Sequence, residues 1–266
     1  MATLDLETIK AIAFETTGQR TNPYWRDLRK GKLTASKFGR AYRASINENL
    51  SAIETLKQDI YNPRDLSHIK PIQWGIEHEA EAIDEYIKET SNIVKPTGLW
   101  LFPCGVLGAS PDGLVYRHEH DMHPIGIVEV KCPYSIRDKV ISCENEWHAY
   151  LKYLDCFNNL RRDHDYYAQI QGTMAAVGVE WCDFFVWTPD SYLLVRIPKD
   201  VGWQKTQIER FTNFYYKYLE RKEDLPPDQQ SNDTEDFDLN ERCSTCDIGN
   251  IMHPVGQAEQ CLRNCI

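Results

Sequence analysis

The segments Ile125-Gly126-Ile127-Val128-Glu129-Val130-Lys131 and Ser110-Pro111-Asp112-Gly113 decide the reading of this chain. The first is an apolar run that reads as a buried strand. Buried strands rarely carry Glu and Lys, because an unpaired ion in an apolar setting costs several kcal/mol. Side chains alternate along a strand, so Glu129 and Lys131 share one face, past Val130. The second segment has the residues of a turn that presents a carboxylate. Asp112 precedes Glu129 by 17 positions, room for a strand, a connection and a return. That hairpin-like path brings Asp112 beside Glu129. Two carboxylates and one amine then converge, a group suited to divalent-metal hydrolysis of a phosphodiester. Carboxylates hold hard cations such as Mg²⁺ or Mn²⁺, and the Lys can orient or deprotonate the attacking water.

A helix starting at Pro71 and running to about Thr90 supplies a further carboxylate. Its apolar stripe is Ile72, Ile76, Ile83 and Tyr86, and Glu79 occupies the missing step. Glu77, Glu81, Asp84 and Glu85 lie off the stripe and read as solvated. A Glu on the inward seam breaks the local pattern, as functional sites do. Pairing with a core Arg is the alternative.

The rest of the chain reads as helices over 4–15, 24–29, 34–42 and 47–60, then strands over 97–102, 105–109, 113–117 and 125–132. Thr34 reads as a helix cap. A helix over Asp165 to Val177 ends at Gly178, strands follow over 181–187 and 192–197, and an aromatic-rich helix spans 202–221. This order predicts an α/β fold, a central mixed sheet flanked by helices with a helical N-terminal region. The predicted organisation is a domain over 1–222, an acidic linker over 223–241 and a Cys-rich tail over 242–266.

The formal charge is −10, but eight acidic residues and no Lys or Arg fall between Glu223 and Glu241. Removing that stretch leaves a core nearer neutrality, and Arg26, Arg29, Lys30, Lys32, Lys37, Arg40 and Arg43 form a basic cluster near the N-terminus. No apolar run reaches the roughly 18 residues of a membrane span, and the first ten residues lack a signal peptide's pattern. The expectation is an intracellular protein, in the cytoplasm or, for a virus, the host nucleus. Nine cysteines in such a chain argue against a disulfide framework.

These segments resemble the PD-(D/E)XK nuclease superfamily, and more specifically the lambda-exonuclease or YqaJ-type viral recombinase nucleases. The resemblance runs over roughly residues 20–200. It rests on Trp25-Arg26-Asp27-Leu28-Arg29 with Leu33-Thr34-Ala35-Ser36, Trp74-Gly75 before Glu79, Ser110-Pro111-Asp112-Gly113, Glu129-Val130-Lys131-Cys132-Pro133 and Tyr167-Ala168-Gln169-Ile170-Gln171. It implies a restriction-endonuclease-like core and metal binding by Asp112, Glu129, the backbone carbonyl of Val130 and Glu79. Lys131 takes the water-positioning role. Arg29, Ser36, Ser110 and Gln169 match positions that hold the 5′-phosphate of a DNA end. On residues alone, Ser36 reads as a cap or surface serine and Gln169 as a solvated polar residue. The implied activity is a 5′→3′ exonuclease on double-stranded DNA, in recombination or viral genome processing. An endonuclease of this fold and a non-catalytic DNA-end or partner-binding module are the alternatives. A single-strand-annealing recombination protein is the implied partner, and both a monomer and a ring-forming homo-oligomer occur among such enzymes.

In the tail, Cys243, Cys246, Cys261 and Cys265 have paired spacings compatible with zinc. An iron–sulfur cluster and plain reduced thiols are the alternatives. The face Trp203, Phe211, Phe214, Tyr215 and Tyr218 reads as core packing from its helical spacing. His118, His120 and His123 read as an exposed loop.

Overall fold

The computed structural model describes residues 3–141 and 150–221. The acidic stretch, the four tail cysteines and Cys143 lie outside the described residues. The chain divides into Met1–Glu220 and Arg221–Ile266, and the architecture below is that of the first unit.

Helices α1 (Leu6–Glu15), α2 (Pro23–Arg29), α3 (Phe38–Asn47) and α4 (Leu50–Tyr61) form the N-terminal region, followed by the long α5 (Lys70–Thr90). Their starts follow ordinary capping chemistry. Asp5, Asn22 and Asn49 each accept a backbone N–H of the first turn, and Pro23 sits at the first turn of α2. Strands β2 (Ile93–Lys95), β5 (Gly113–Tyr116), β6 (Gly126–Lys131), β7 (Trp181–Thr188) and β8 (Ser191–Pro198) make a mixed five-stranded sheet in the order β2-β5-β6-β7-β8. Helix α6 (Asp165–Val177) lies between β6 and its parallel neighbour β7, and α7 (Val201–Phe214) follows β8.

A second sheet, absent from the sequence reading, joins β1 (Leu33–Thr34), β4 (Leu107–Ala109) and β3 (Trp100–Leu101). Thr34 therefore belongs to a strand parallel to β4, and it makes no side-chain cap bond to the turn that follows. The expected strand over 97–102 shrinks to two residues, and the short edge strand β2 lies outside the expected strands. Two- and three-residue strands carry too few alternations to register as a period.

Both faces of the larger sheet are covered, which explains its nearly continuous apolar strands. Ile127, Phe184 and Val186 pack with Ile170 and Met174 of α6. Val128, Val130, Cys132, Phe185 and Trp187 face the other way, against Ala82 and Tyr86 of α5. Glu129 and Lys131 thus share the α6 face with Ile127. Gly113 opens β5, and a Cβ there would lie 2.3 Å from Val94 Cγ1, so glycine admits β2 alongside. The aromatic residues after β8 do pack: Phe211, Phe214 and Tyr215 are buried in the N-terminal core. His118, His120 and His123 are exposed.

Candidate active site

The antiparallel pairing of β5 with β6 sets Gly113 opposite Val128. Asp112, one residue earlier, consequently sits beside Glu129. Its Oδ2 accepts a hydrogen bond from the Val130 N–H at 2.8 Å. The turn ahead of it is held by Gln19, a residue that nothing in the local sequence singles out. Gln19 Nε2 donates to the carbonyls of Pro111 (2.8 Å) and Thr97 (3.1 Å).

Glu129 is 2 % exposed in mid-sheet. Its Oε1 accepts from Lys131 Nζ and from Gln169 Nε2 of α6, the latter at 2.6 Å. Its Oε2 has no hydrogen-bond partner among the described residues. Asp183 on β7 is as deeply buried but fully served, by Tyr86 Oη at 2.7 Å and by Arg196 Nε and Nη2 at 2.8 and 2.9 Å. The contrast separates a structural buried acid from one left with spare acceptor capacity.

Burial raises the Glu129 carboxyl to about 7, and the neighbouring Asp112 charge adds to the shift. Burial also raises Asp112, against the opposing pull of Lys131. Glu79 is pushed up to about 7 by burial first and by Asp112 second. The three carboxyls therefore crowd one region, where the Lys131 and Arg20 charges oppose the upward shifts of Glu79 and Asp112. The Lys131 ammonium is desolvated, but Glu129 and Asp112 outweigh that cost and hold it protonated. It also lies 4.8 Å over the Tyr166 ring.

The α5 stripe differs from the expectation. Ile76 is 38 % exposed, whereas Ala82 and Tyr86 are buried and Trp74 and His78 pack toward Trp187. Glu79 flanks this stripe rather than centring it. Among the described residues no three His, Cys, Asp or Glu side chains form a ready-made cation cage.

A second group adjoins the first through the chain, since Ser110 is two residues before Asp112. Trp25 Nε1 donates to Ser110 Oγ at 2.9 Å, and the Arg29 guanidinium stacks 3.9 Å above the Trp25 ring. Arg29 Nη2 lies 3.4 Å from Thr34 Oγ1, which is 3.4 Å from Ser36 Oγ. Arg29, Ser36 and Ser110 are thus brought together, with Trp25 and Thr34 as the connecting residues. Gln169 joins the carboxylate group instead. Burial and then the Arg20 charge lower the Arg29 pKa to about 10, still a cation at neutral pH. Arg20 also acts on Glu79 and Asp112, so its charge is felt by both groups. Nothing in the local sequence distinguishes Arg20 or Gln19 from ordinary surface residues.

The YqaJ-like viral recombinase domain matches residues 24–180, more than half of the chain. The chain belongs to that family. Among solved structures it is similar to the alkaline exonuclease LHK-Exo from Laribacter hongkongensis, at 27% identity over 75% of this chain and 96% of that one, with a TM-score of 0.51. The same enzyme in complex with dAMP matches at 26% identity over 73% of this chain and 91% of that one, TM-score 0.54. A phage-related exonuclease from Haemophilus somnus 129PT shares the fold at 16% identity, over 73% and 96% of the two chains, TM-score 0.51. No curated protein matches the chain. The fold is restriction-endonuclease-like. Family and fold together support a nuclease that serves recombination. No described helix is long and apolar enough to cross a membrane.

Proposed function

We propose that this chain is a divalent-metal-dependent deoxyribonuclease, a 5′→3′ exonuclease acting on double-stranded DNA ends in recombination or viral genome processing. The observation that carries the reading is Glu129. It is a buried carboxylate beside Asp112, with one oxygen bonded to Lys131 and Gln169 and the other without a donor among the described residues. A cation fits this donor set, because it would supply the charge that the raised carboxyls lack. Asp112, Glu129, the Val130 carbonyl and Glu79 would hold Mg²⁺ or Mn²⁺. When bound, the ion polarises the scissile phosphate and acidifies a water.

The chain's own side chains do the remaining work. Lys131, fixed between Glu129 and the Tyr166 face, holds and orients the attacking water. Gln169 holds Glu129 in place from α6. Arg29 offers a planar fork to a terminal phosphate, with the Trp25 ring holding the guanidinium and the Ser36 and Ser110 hydroxyls nearby. A terminal phosphate bound there leaves the nearby linkage beside Asp112, which favours end-dependent cutting over an endonuclease.

The test is a time course on 5′-phosphorylated linear duplex, its 5′-hydroxyl counterpart and covalently closed plasmid, with Mg²⁺ or with EDTA. The expected result is Mg²⁺-dependent loss of the 5′-phosphorylated linear duplex, early release of label from its 5′ end, and an intact closed circle. A closed circle cut as fast as the linear form would make the enzyme an endonuclease. No cleavage of any substrate would end the nuclease reading.

A further inference from the structure

Gly75 lies one helical turn before Glu79 on the same side of α5, at the i, i+4 spacing, roughly 6 Å along the axis. Glycine inside a helix is markedly less favourable than alanine, so its presence there needs a cause. At the helical Gly39 and Gly172 the cause is internal, since a Cβ would lie 2.5 Å or less from a neighbouring atom. At Gly75 a Cβ would meet nothing within 4 Å, and its φ is not positive. Neither close packing nor backbone conformation among the described residues asks for glycine at this position.

The residues around it are aromatic. The Trp74 ring packs 3.8 Å from His78, which stacks at 5.5 Å on the buried Trp187. Trp74 also meets Tyr134 edge-on, with centroids 6.1 Å apart at 69°, and both remain partly exposed. Tyr134 follows β6 by three residues, in the short turn Tyr134–Ile136. The Arg137 guanidinium lies 4.0 Å over its ring, donates Nη1 to the Tyr134 carbonyl at 2.8 Å and pairs with Asp138, while its side chain stays 34 % exposed. The result is a perpendicular aromatic corner with a cation at its edge and an open backbone beside it, one turn from Glu79.

We propose that this end of α5 is a nucleotide subsite for the strand being cut. A base packs into the corner of Trp74 and Tyr134, the sugar–phosphate chain passes over Gly75, and Arg137 faces a phosphate. Aromatic stacking accepts any base, as an enzyme that degrades DNA without regard to sequence requires. The inference rests on the nuclease reading above.

The test uses Gly75→Leu, Trp74→Ala and Tyr134→Ala in the full chain. Gly75→Leu fills space that is open in the free protein, so it should melt no lower than wild type while raising KM for duplex DNA at least about tenfold. Trp74→Ala and Tyr134→Ala should each raise KM about 5- to 150-fold, the range for a lost base stack. In wild type, one abasic position near the cut end should cost a similar factor, and Trp74→Ala should lose that sensitivity. Oligonucleotide affinity, measured by anisotropy in an Asp112→Asn background, should change in parallel. Wild-type affinity in Gly75→Leu, or an unaltered abasic profile in Trp74→Ala, would overturn the subsite. If wild type fails to cleave any DNA, the nuclease reading falls, and the anisotropy arm still decides the subsite.

Discussion

Asp112 is fastened to the backbone N–H of Val130 at 2.8 Å, so the carboxylate ahead of β5 is tied to the residue between Glu129 and Lys131. The bond does two things at once. It fixes the turn against the neighbouring strand, and it keeps the half-buried Asp112 carboxyl next to the buried one of Glu129. Asp112→Asn preserves the acceptor and removes the charge. Mg²⁺-dependent cleavage should fall at least about 100-fold, since replacing even an outer-shell partner costs about 10–100-fold. The melting temperature should hold or rise, because a buried like-charge repulsion is relieved. A cleavage assay paired with a thermal melt checks both, and an Asp112→Asn protein with normal turnover would remove Asp112 from the chemistry.

Gln169 and Arg29 belong to different groups in the structure, and kinetics can separate them. Gln169 donates to Glu129 at 2.6 Å. Gln169→Ala should lower kcat about 10–100-fold on 5′-phosphorylated and 5′-hydroxyl duplexes alike. A loss confined to the phosphorylated substrate would instead put Gln169 with the terminal phosphate.

Arg29 stacks on Trp25, whose indole N–H holds Ser110. Arg29→Ala should reduce the preference for a 5′-phosphate over a 5′-hydroxyl by about tenfold or more, the value of one charge-assisted pair. Arg29→Lys should recover little of it, because an ammonium has neither the planar fork nor the stacking face. Ratios of kcat/KM on the two duplexes give the answer, and full recovery by Lys would argue that charge alone matters.

Asp200 offers a stability test away from the site. It caps α7 by accepting the Trp203 N–H at 3.0 Å, and it also accepts from Tyr167 Oη of α6 at 2.9 Å. Asp200→Ala should cost about 1 kcal/mol. The Trp203 backbone bond, followed by Tyr167 and Arg162, lowers the Asp200 carboxyl below its ordinary value. A depressed folded pKa means the stabilisation is fully present above the unfolded value near pH 4. It is lost as pH falls through the lower folded value. Denaturant melts of wild type and Asp200→Ala should therefore converge below about pH 4. A gap that persists undiminished at lower pH would assign the cap's contribution to packing.

The strands β6, β7 and β8 and the helix α6 with its stop at Gly178 were legible because each is long enough to show its period and its end signal. Glu129 and Lys131 were legible because ions stand out in an apolar strand, and Asp112 because its Pro-Asp-Gly segment reads as a turn. The expected apolar stripe of α5 departs from the structure at Ile76, which is exposed. Over the first three turns of α5 the packing residues include Trp74 and His78, set against Trp187 and Tyr134, and a hydropathy pattern does not reveal which side an aromatic turn will cover. Gln19, Arg20, Trp25 and Thr34 were invisible as site residues. Their roles arise from contacts with residues distant in the sequence, such as Gln19 with Pro111 and Trp25 with Ser110.

The sequence alone determined the chemistry available to this protein, a carboxylate and a lysine on one face of a strand and a second carboxylate in a turn, because strand alternation and turn composition are local rules. It also determined the order of the larger elements. Only the tertiary structure decided which groups meet. It set Gln169 against Glu129, linked Arg29 to Ser110 through Trp25, and left one oxygen of Glu129 without a donor among the described residues. Those outcomes depend on strand register and on how α6 and the N-terminal helices close over the sheet, which are properties of contacts between distant segments.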